Sequence, residues 1–296
     1  MTIIVVEGPD LAGKTTLVQN LVANLMNVEM LRQGPPPSGV DILEHYLRPI
    51  QDWCYEPMII RPDWLILDRW HVGELIYGPL LRGKSLLTGQ QADYIDMVLQ
   101  TFGCNFTYVT QPPSILQERW DQRGDGLIKR EWLADIYHDY AHWMGPRTHW
   151  AVHNTYEVLC RVKPVPMAGP YIGPAKPKVL LLGDERNDPR FIFPFVPARA
   201  TSGHWLMGAL READVNHMDV GIINACEFDF DDLYFQWRQL GRPPVITLGR
   251  NAERAWQSNG IAPESHYLHH PQYERRFHYT AMKRYGQKIN DVMNNG

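Results

Sequence analysis

The run Ile3-Ile4-Val5-Val6-Glu7 passes directly into Gly8-x-x-x-x-Gly13-Lys14-Thr15, and apolar residues at helical spacing follow at Leu17, Leu21, Val22 and Leu25. Few short patterns constrain a fold so tightly, because this one requires a strand before the loop and a helix after it. Gly8 and Gly13 let the backbone wrap so that successive N–H groups point inward at phosphate oxygens. Lys14 is expected to reach the β- and γ-phosphates, and the Thr15 hydroxyl to complete a Mg²⁺ coordination shell. The stretch Gly8, Pro9, Asp10, Leu11, Ala12, Gly13, Lys14, Thr15 and Thr16 is therefore the expected cradle of a nucleoside triphosphate.

At 296 residues the chain has room for two domains. Its formal charge of −4 argues against an indiscriminate nucleic-acid binder but leaves room for a local basic groove. Cys54, Cys104, Cys160 and Cys226 form no CxxC pair, so neither a zinc site nor a disulfide framework is expected. Met1 leads straight into the first strand, and no apolar run approaches the ~20 residues that span a bilayer, so a cytoplasmic protein without a membrane partner is expected.

Short strands alternate with helices through the first half. Strands are expected at 28–33, 64–67, 105–110 and within 150–159, and helices over 41–54, around Tyr94–Leu99, from about Ser114, and over 131–143. This alternation predicts an α/β fold with a doubly wound, mostly parallel sheet. Residues 163–177 are so rich in Pro and Gly that they read as a stiff extended linker holding neither helix nor strand. A second, smaller α/β pattern follows. Its strands are expected at 178–182, 220–225, 245–248 and 267–270, and its helices at 204–213, 230–240, 251–259 and from about Glu274. The expected division is 1–163, a linker at 164–177, and 178–296.

Phosphoryl transfer needs held phosphates, a metal, cations around the migrating group and an orienting group for the acceptor oxygen. Asp68 ends the buried run Trp64-Leu65-Ile66-Leu67, where open α/β sheets place ligand groups, and is suited to hold Mg²⁺ through water. Arg69 beside it can grip a polar or anionic acceptor. Arg119 and Arg123, four residues apart, can share a helix face. They open a basic segment around Gly124-Asp125-Gly126, the pattern of a lid that closes over phosphates. Glu7 and Asp10 are both placed to accept a hydrogen bond, or a proton, from an acceptor hydroxyl. Glu7 could instead orient Arg69 or metal-bound water.

Together these pieces resemble the thymidylate kinase family: the loop Glu7–Thr16, the Asp68-Arg69-Trp70 motif and the lid region Arg119–Arg130. The resemblance covers about residues 1–160 and implies a kinase using ATP and Mg²⁺, with Lys14, Asp10, Glu7, Arg69, Arg119 and Arg123 at the reaction centre. Two departures bear on the acceptor. Leu11 stands where that family usually has glycine, and His71–Gly78 replaces the helix that reads thymine.

In the second half, Gly183-Asp184-Glu185-Arg186-Asn187, Pro194-Phe195-Val196, Gly221-Ile222-Ile223-Asn224-Ala225 and His269-His270-Pro271 resemble, in order and spacing, the uracil-DNA glycosylase superfamily. The first motif lacks that family's proline and second glycine. The resemblance implies a base pocket and DNA groove, with Asp184, Phe195 and His270 at the base, without glycosidic cleavage. A base-reading module fused to such a kinase resembles the phage kinases that phosphorylate the 5-hydroxymethyl group of 5-hydroxymethyluracil in DNA during thymine hypermodification. Such an enzyme must expose the base. The competing readings are a kinase of free thymidine-like monophosphates, a DNA-binding protein with an ATP switch, and a glycosylase with a regulatory nucleotide domain.

Overall fold

The computed structural model describes residues 2–55, 62–124, 128–145, 150, 171–184, 190–191, 193–198, 201–228, 230–258 and 262–295. In chain order its first part runs β1 (Thr2–Glu7), α1 (Lys14–Asn24), β2 (Val28–Arg32), α2 (Ile42–Tyr55), β3 (Trp64–Asp68), α3 (His71–Arg82), α4 (Gly89–Thr101), β4 (Asn105–Tyr108), α5 (Pro113–Arg123) and α6 (Leu133–Met144). The second part runs β5 (Tyr171–Ile172), β6 (Val179–Gly183), α7 (Ser202–Glu212), β7 (Val220–Asn224), α8 (Phe230–Gln239), β8 (Val245–Leu248), α9 (Arg250–Gln257), β9 (His266–Leu268), α10 (Pro271–Phe277) and α11 (Met282–Asn295). The protein is thus mixed α/β, with two sheets each dressed by helices.

The chain divides into two compact units, residues 1–88 with 102–164 and residues 89–101 with 165–296. In the first, four parallel strands among the described residues lie in the order β2-β3-β1-β4. Strand β1 is buried from Ile3 to Glu7 because both sheet faces are covered, as its unbroken β-branched run requires. The chain leaves β1 toward β2 on one side and reaches β4 on the other. A crevice therefore opens beside the carboxyl end of β1, where such sheets take ligands. The strand expected within 150–159 lies, apart from Trp150, outside the described residues. Helix α3 has no counterpart in the expected elements. Gly73, Gly78 and Pro79 break its apolar periodicity, yet it runs to Gly83, whose φ of 74° ends it.

The second unit holds a sheet of order β5-β7-β6-β8-β9, parallel except for β5 against β7. Strand β5 corrects the reading of 163–177 as strandless: Tyr171 and Ile172 pair with Ile223 and Ile222. Residues 164–170 lie outside the described residues. Helix α4, which a linear division assigns to residues 1–163, packs in this second unit against α7 and β5. Its apolar residues Tyr94, Ile95, Met97, Val98 and Leu99 are fully buried. Its polar groups are tied into the unit as well. Tyr94 Oη donates to the Pro194 carbonyl at 2.5 Å, Arg211 reaches Asp93 at 2.7 Å, and Gly173 N–H donates to Thr101 Oγ1 at 2.9 Å. Among the described residues no helix is long and apolar enough to cross a membrane.

Candidate active site

The loop from β1 to α1 is built by backbone geometry. Gly8 has φ 146°, and a Cβ there would collide with the Val109 carbonyl, so no other residue fits. Gly13 has φ 109° and forms the N-cap of α1. Leu11 holds φ 65°, a left-handed conformation that glycine adopts freely. The departure at Leu11 therefore changes the side chain and keeps the backbone shape. Lys14 is buried, and its Nζ donates to the carbonyls of Gly8 at 2.6 Å and Pro9 at 2.5 Å. Burial, helped by the positive charge of Arg69, pushes the Lys14 ammonium down to about 8, while Asp10, Glu7 and Asp68 oppose the shift.

Asp10 is the hinge of the site. Its carboxylate pairs with Arg69 and lies 3.8 Å from Lys14, and its backbone N–H donates to Tyr77 Oη at 3.1 Å. Burial pushes its pKa up, but Lys14, Arg69 and the Tyr77 hydrogen bond outweigh burial, so the carboxyl ends below its ordinary value. It stays ionised and serves better as a hydrogen-bond acceptor than as a proton store. Arg69 itself has φ 63°, a strained conformation at the head of α3.

Two cavities meet at this pair. One, of about 490 Å³, is lined by residues 10–17 of the loop and α1, by Asn20, Arg69 and Gln111, and by Arg119, Gln122 and Arg123 of α5. Arg119 and Arg123 thus share a face as their spacing predicts, and Arg119 donates to the Leu11 carbonyl at 2.6 Å. Gly124 is the last residue described before 128, so the rest of the Gly-x-Gly hinge lies outside the described residues. The second cavity, about 230 Å³, shares Asp10 and Arg69 with the first. Four aromatic side chains line it, Tyr46 from α2, Trp70, Tyr77 from α3 and Tyr140 from α6, beside Pro35, Pro36, Leu81 and Ile128. Among the described residues that line it, Arg32, Arg69 and Arg82 are each paired with a carboxylate. Arg82 holds Glu74 at 2.5 and 2.6 Å, Arg32 lies 3.6 Å from Asp68, and Arg69 is bound to Asp10.

Glu7 and Asp68 line neither of these two cavities. Glu7 is fully buried and fastens the start of α3: it accepts from the N–H groups of Trp70 at 2.7 Å and Gly73 at 3.3 Å, and from Tyr140 Oη at 3.3 Å. Asp68, next to it at the carboxyl end of β3, is buried beside Arg32. Thr15 is exposed and lines the larger cavity. Among the described residues, no three His, Cys, Asp or Glu side chains are grouped to hold a metal ion. A cation here would take its remaining ligands from phosphate oxygens and water. Sequence reasoning missed the aromatic wall because its four rings come from three helices and the β3–α3 junction, none with a local signature.

In the second unit Asp184, Phe195 and His270 do converge, at the carboxyl ends of β6 and β8. The rings of Phe195 and His270 lie 5.7 Å apart, and Phe195 packs so closely on Gly183 that a Cβ there would overlap it. Asp184 is committed to α9, accepting from the Ala252 N–H at 2.9 Å and from Asn251 Nδ2 at 3.5 Å. Burial lowers the His270 pKa, and Asp184 partly restores it. Asn224, at the end of β7, lies in the motif Gly221–Ala225, where the sequence assigns it no role. It is fully buried, its Nδ2 donates to Glu227 at 2.9 Å, and its Oδ1 is without a partner beside Gly183.

No protein-family model matches the chain. It is 24% identical over 147 residues to the SPbeta prophage-derived uncharacterized protein YorR of Bacillus subtilis (strain 168), a match spanning 47% of this chain and 80% of that protein. A crystal structure of YorR in complex with phosphorylated GDP is similar at 22% identity and a TM-score of 0.42, covering 51% of this chain and 84% of that one.

Proposed function

We propose that the protein is an ATP-dependent phosphotransferase of the thymidylate-kinase type whose acceptor is the 5-hydroxymethyl group of 5-hydroxymethyluracil in DNA, a step in phage thymine hypermodification. The observation that carries this reading is the meeting of two cavities at the Asp10–Arg69 pair. One is a cationic cradle with Lys14, Arg119 and Arg123, suited to the phosphates of ATP, and the other is an aromatic slot suited to a planar base. Transfer between two bound molecules needs this arrangement, whereas a nucleotide switch needs only the first cavity.

ATP would supply the phosphoryl group, and Thr15, which lines the cradle, would hold Mg²⁺, a cation that would screen the phosphate charge; Asp68, outside both cavities and beside Arg32, would reach it only through water. The rest falls to the chain. Lys14 exchanges its two carbonyl partners for phosphate oxygens, Arg119 and Arg123 neutralise charge on the migrating group, and ionised Asp10 orients the acceptor hydroxyl. Among the described residues, the pairing of Arg32, Arg69 and Arg82 with carboxylates leaves the aromatic slot without an uncompensated cation. That favours a neutral hydroxyl over a dianionic monophosphate as acceptor. In the second unit, the unpartnered Asn224 oxygen, close to the Phe195 ring at Gly183, supports a base-recognising role, and the commitment of Asp184 to α9 argues against glycosidic cleavage.

The test is to incubate the full-length protein with labelled ATP and, separately, thymidine monophosphate, 5-hydroxymethyl-deoxyuridine monophosphate and DNA containing 5-hydroxymethyluracil. Label on the DNA alone is expected. Label on thymidine monophosphate would replace this reading with a nucleotide kinase.

A further inference from the structure

Between His266 and Asn295 the chain carries five Lys or Arg against two Asp or Glu, in a protein of formal charge −4. The same segment presents a run of aromatic rings. Tyr273 and Phe277, one turn apart on α10, have ring centroids 4.8 Å apart at 44°. His269 lies 4.8 Å from Tyr273 at 33°, and Tyr267 meets His269 edge-on at 5.5 Å. Tyr273 is 44% exposed, and Phe277 and Tyr279 are each 64% exposed. Single exposed apolar residues are ordinary on any protein, but a contiguous ladder of rings is not.

The ladder is held rigidly. Buried Tyr285 of α11 donates from Oη to the His269 carbonyl at 2.7 Å and packs edge-on against Trp205 at 4.9 Å. At Gly286, α11 approaches α7 so closely that a Cβ would strike the Ala209 carbonyl. His270 Nδ1 accepts from the Gln272 N–H at 3.2 Å and fixes the start of α10. Arg276, next to Phe277 on α10, and Lys283 and Arg284, in the first turn of α11, are exposed.

We infer that this face of the second unit binds single-stranded DNA, its rings stacking on unpaired bases and its cations tracking the phosphates. Stacking needs the π-face of a base, which a duplex hides, and every base offers one whatever the sequence. A second copy of the chain would bring a like-charged rim to the same face. The choice of DNA over RNA rests on the acceptor proposed above, while the single-stranded mode stands on this surface alone.

Fluorescence anisotropy of the full-length protein, without nucleotide, tests it against a labelled oligodeoxythymidine of about 15 nucleotides, a duplex of the same length and the matching RNA. The single-stranded DNA is expected to bind at least about tenfold more tightly than the duplex. Phe277→Ala and Tyr279→Ala should each weaken it about tenfold with melting temperature unchanged. Removing Arg276, Lys283 and Arg284 together should flatten the log–log salt dependence by about 2, at roughly 0.7 per phosphate contact. Equal binding of duplex, tighter binding of RNA, wild-type affinity in the alanine variants, or a homodimer that Phe277→Ala dissociates would each overturn the inference. Loss of strand binding with label transfer intact would remove this surface and leave the kinase. Strand binding with no transfer to any acceptor would do the reverse.

Discussion

Lys14 is a cation stored in an environment that disfavours its charge. With its pKa pushed down to about 8 by burial and by Arg69, it is protonated at neutral pH but only just. A bound polyphosphate would stabilise the ammonium and raise that pKa, so binding should take up a proton near pH 8. Nucleotide affinity should accordingly be full below pH 8 and fall as pH rises through it, by at most about tenfold per pH unit. Calorimetric titrations in buffers of different ionisation enthalpy would read both effects, and affinity that stays flat above pH 8 would show that Lys14 does not meet the phosphates. Lys14→Ala removes the cation outright and should cost on the order of 10²-fold or more in transfer to any acceptor, measured as label transferred at saturating ATP. Lys14 was legible from spacing alone, because the loop that uses it is eight contiguous residues. Tyr77, which receives the Asp10 N–H from 67 residues away, carries no such local mark.

At the scale of elements, the junction of β3 with α3 shows why two neighbouring carboxylates part company. Glu7 spends both oxygens on the backbone of Trp70 and Gly73 and on Tyr140, whereas Asp10 faces both cavities. Glu7→Gln should therefore act chiefly on stability, costing about 1–3 kcal/mol for the buried acceptor it loses, with most turnover kept below the melting transition. Asp10→Asn should do the opposite, and thermal melts set beside initial rates would separate them. A stable but inactive Glu7→Gln variant would make Glu7 the base. Helix α5 carries a different expectation. Exposed Arg123 lines the larger cavity from the last turn of α5, so Arg123→Ala should lower turnover more than ATP affinity, as loss of a transition-state contact does. Weakened ATP binding with unchanged turnover at saturation would assign it to the ground state. The sequence pattern revealed α5 through Pro112-Pro113 and its following periodicity. It hid α3, whose start is fastened from outside by Glu7 and whose own Glu74 and Arg82 tie its first turn to its last.

The whole molecule is where linear reading had least to work with. The Pro-rich stretch marks a change of composition, and the alternation of strands and helices on either side of it is plain in the residues. Nothing local tells that α4 leaves one unit for the other, because that depends on surfaces assembled from residues 72 to 118 positions downstream. The consequence is physical. Burying Tyr94, Ile95, Met97, Val98 and Leu99 is worth about 1.5–3 kcal/mol each, hence of the order of 10 kcal/mol as an upper bound. That is comparable with the ~5–15 kcal/mol that holds a whole domain folded. A fragment of residues 165–296, cut where the sequence invites it, should therefore fail to give a cooperative thermal transition. The same fragment with residues 89–101 restored as a separate peptide should recover one, and Tyr94→Ala in that peptide should abolish the recovery. Circular dichroism melts with and without the peptide decide the matter: a fragment that unfolds cooperatively unaided would show that α4 decorates the second unit instead of completing its core.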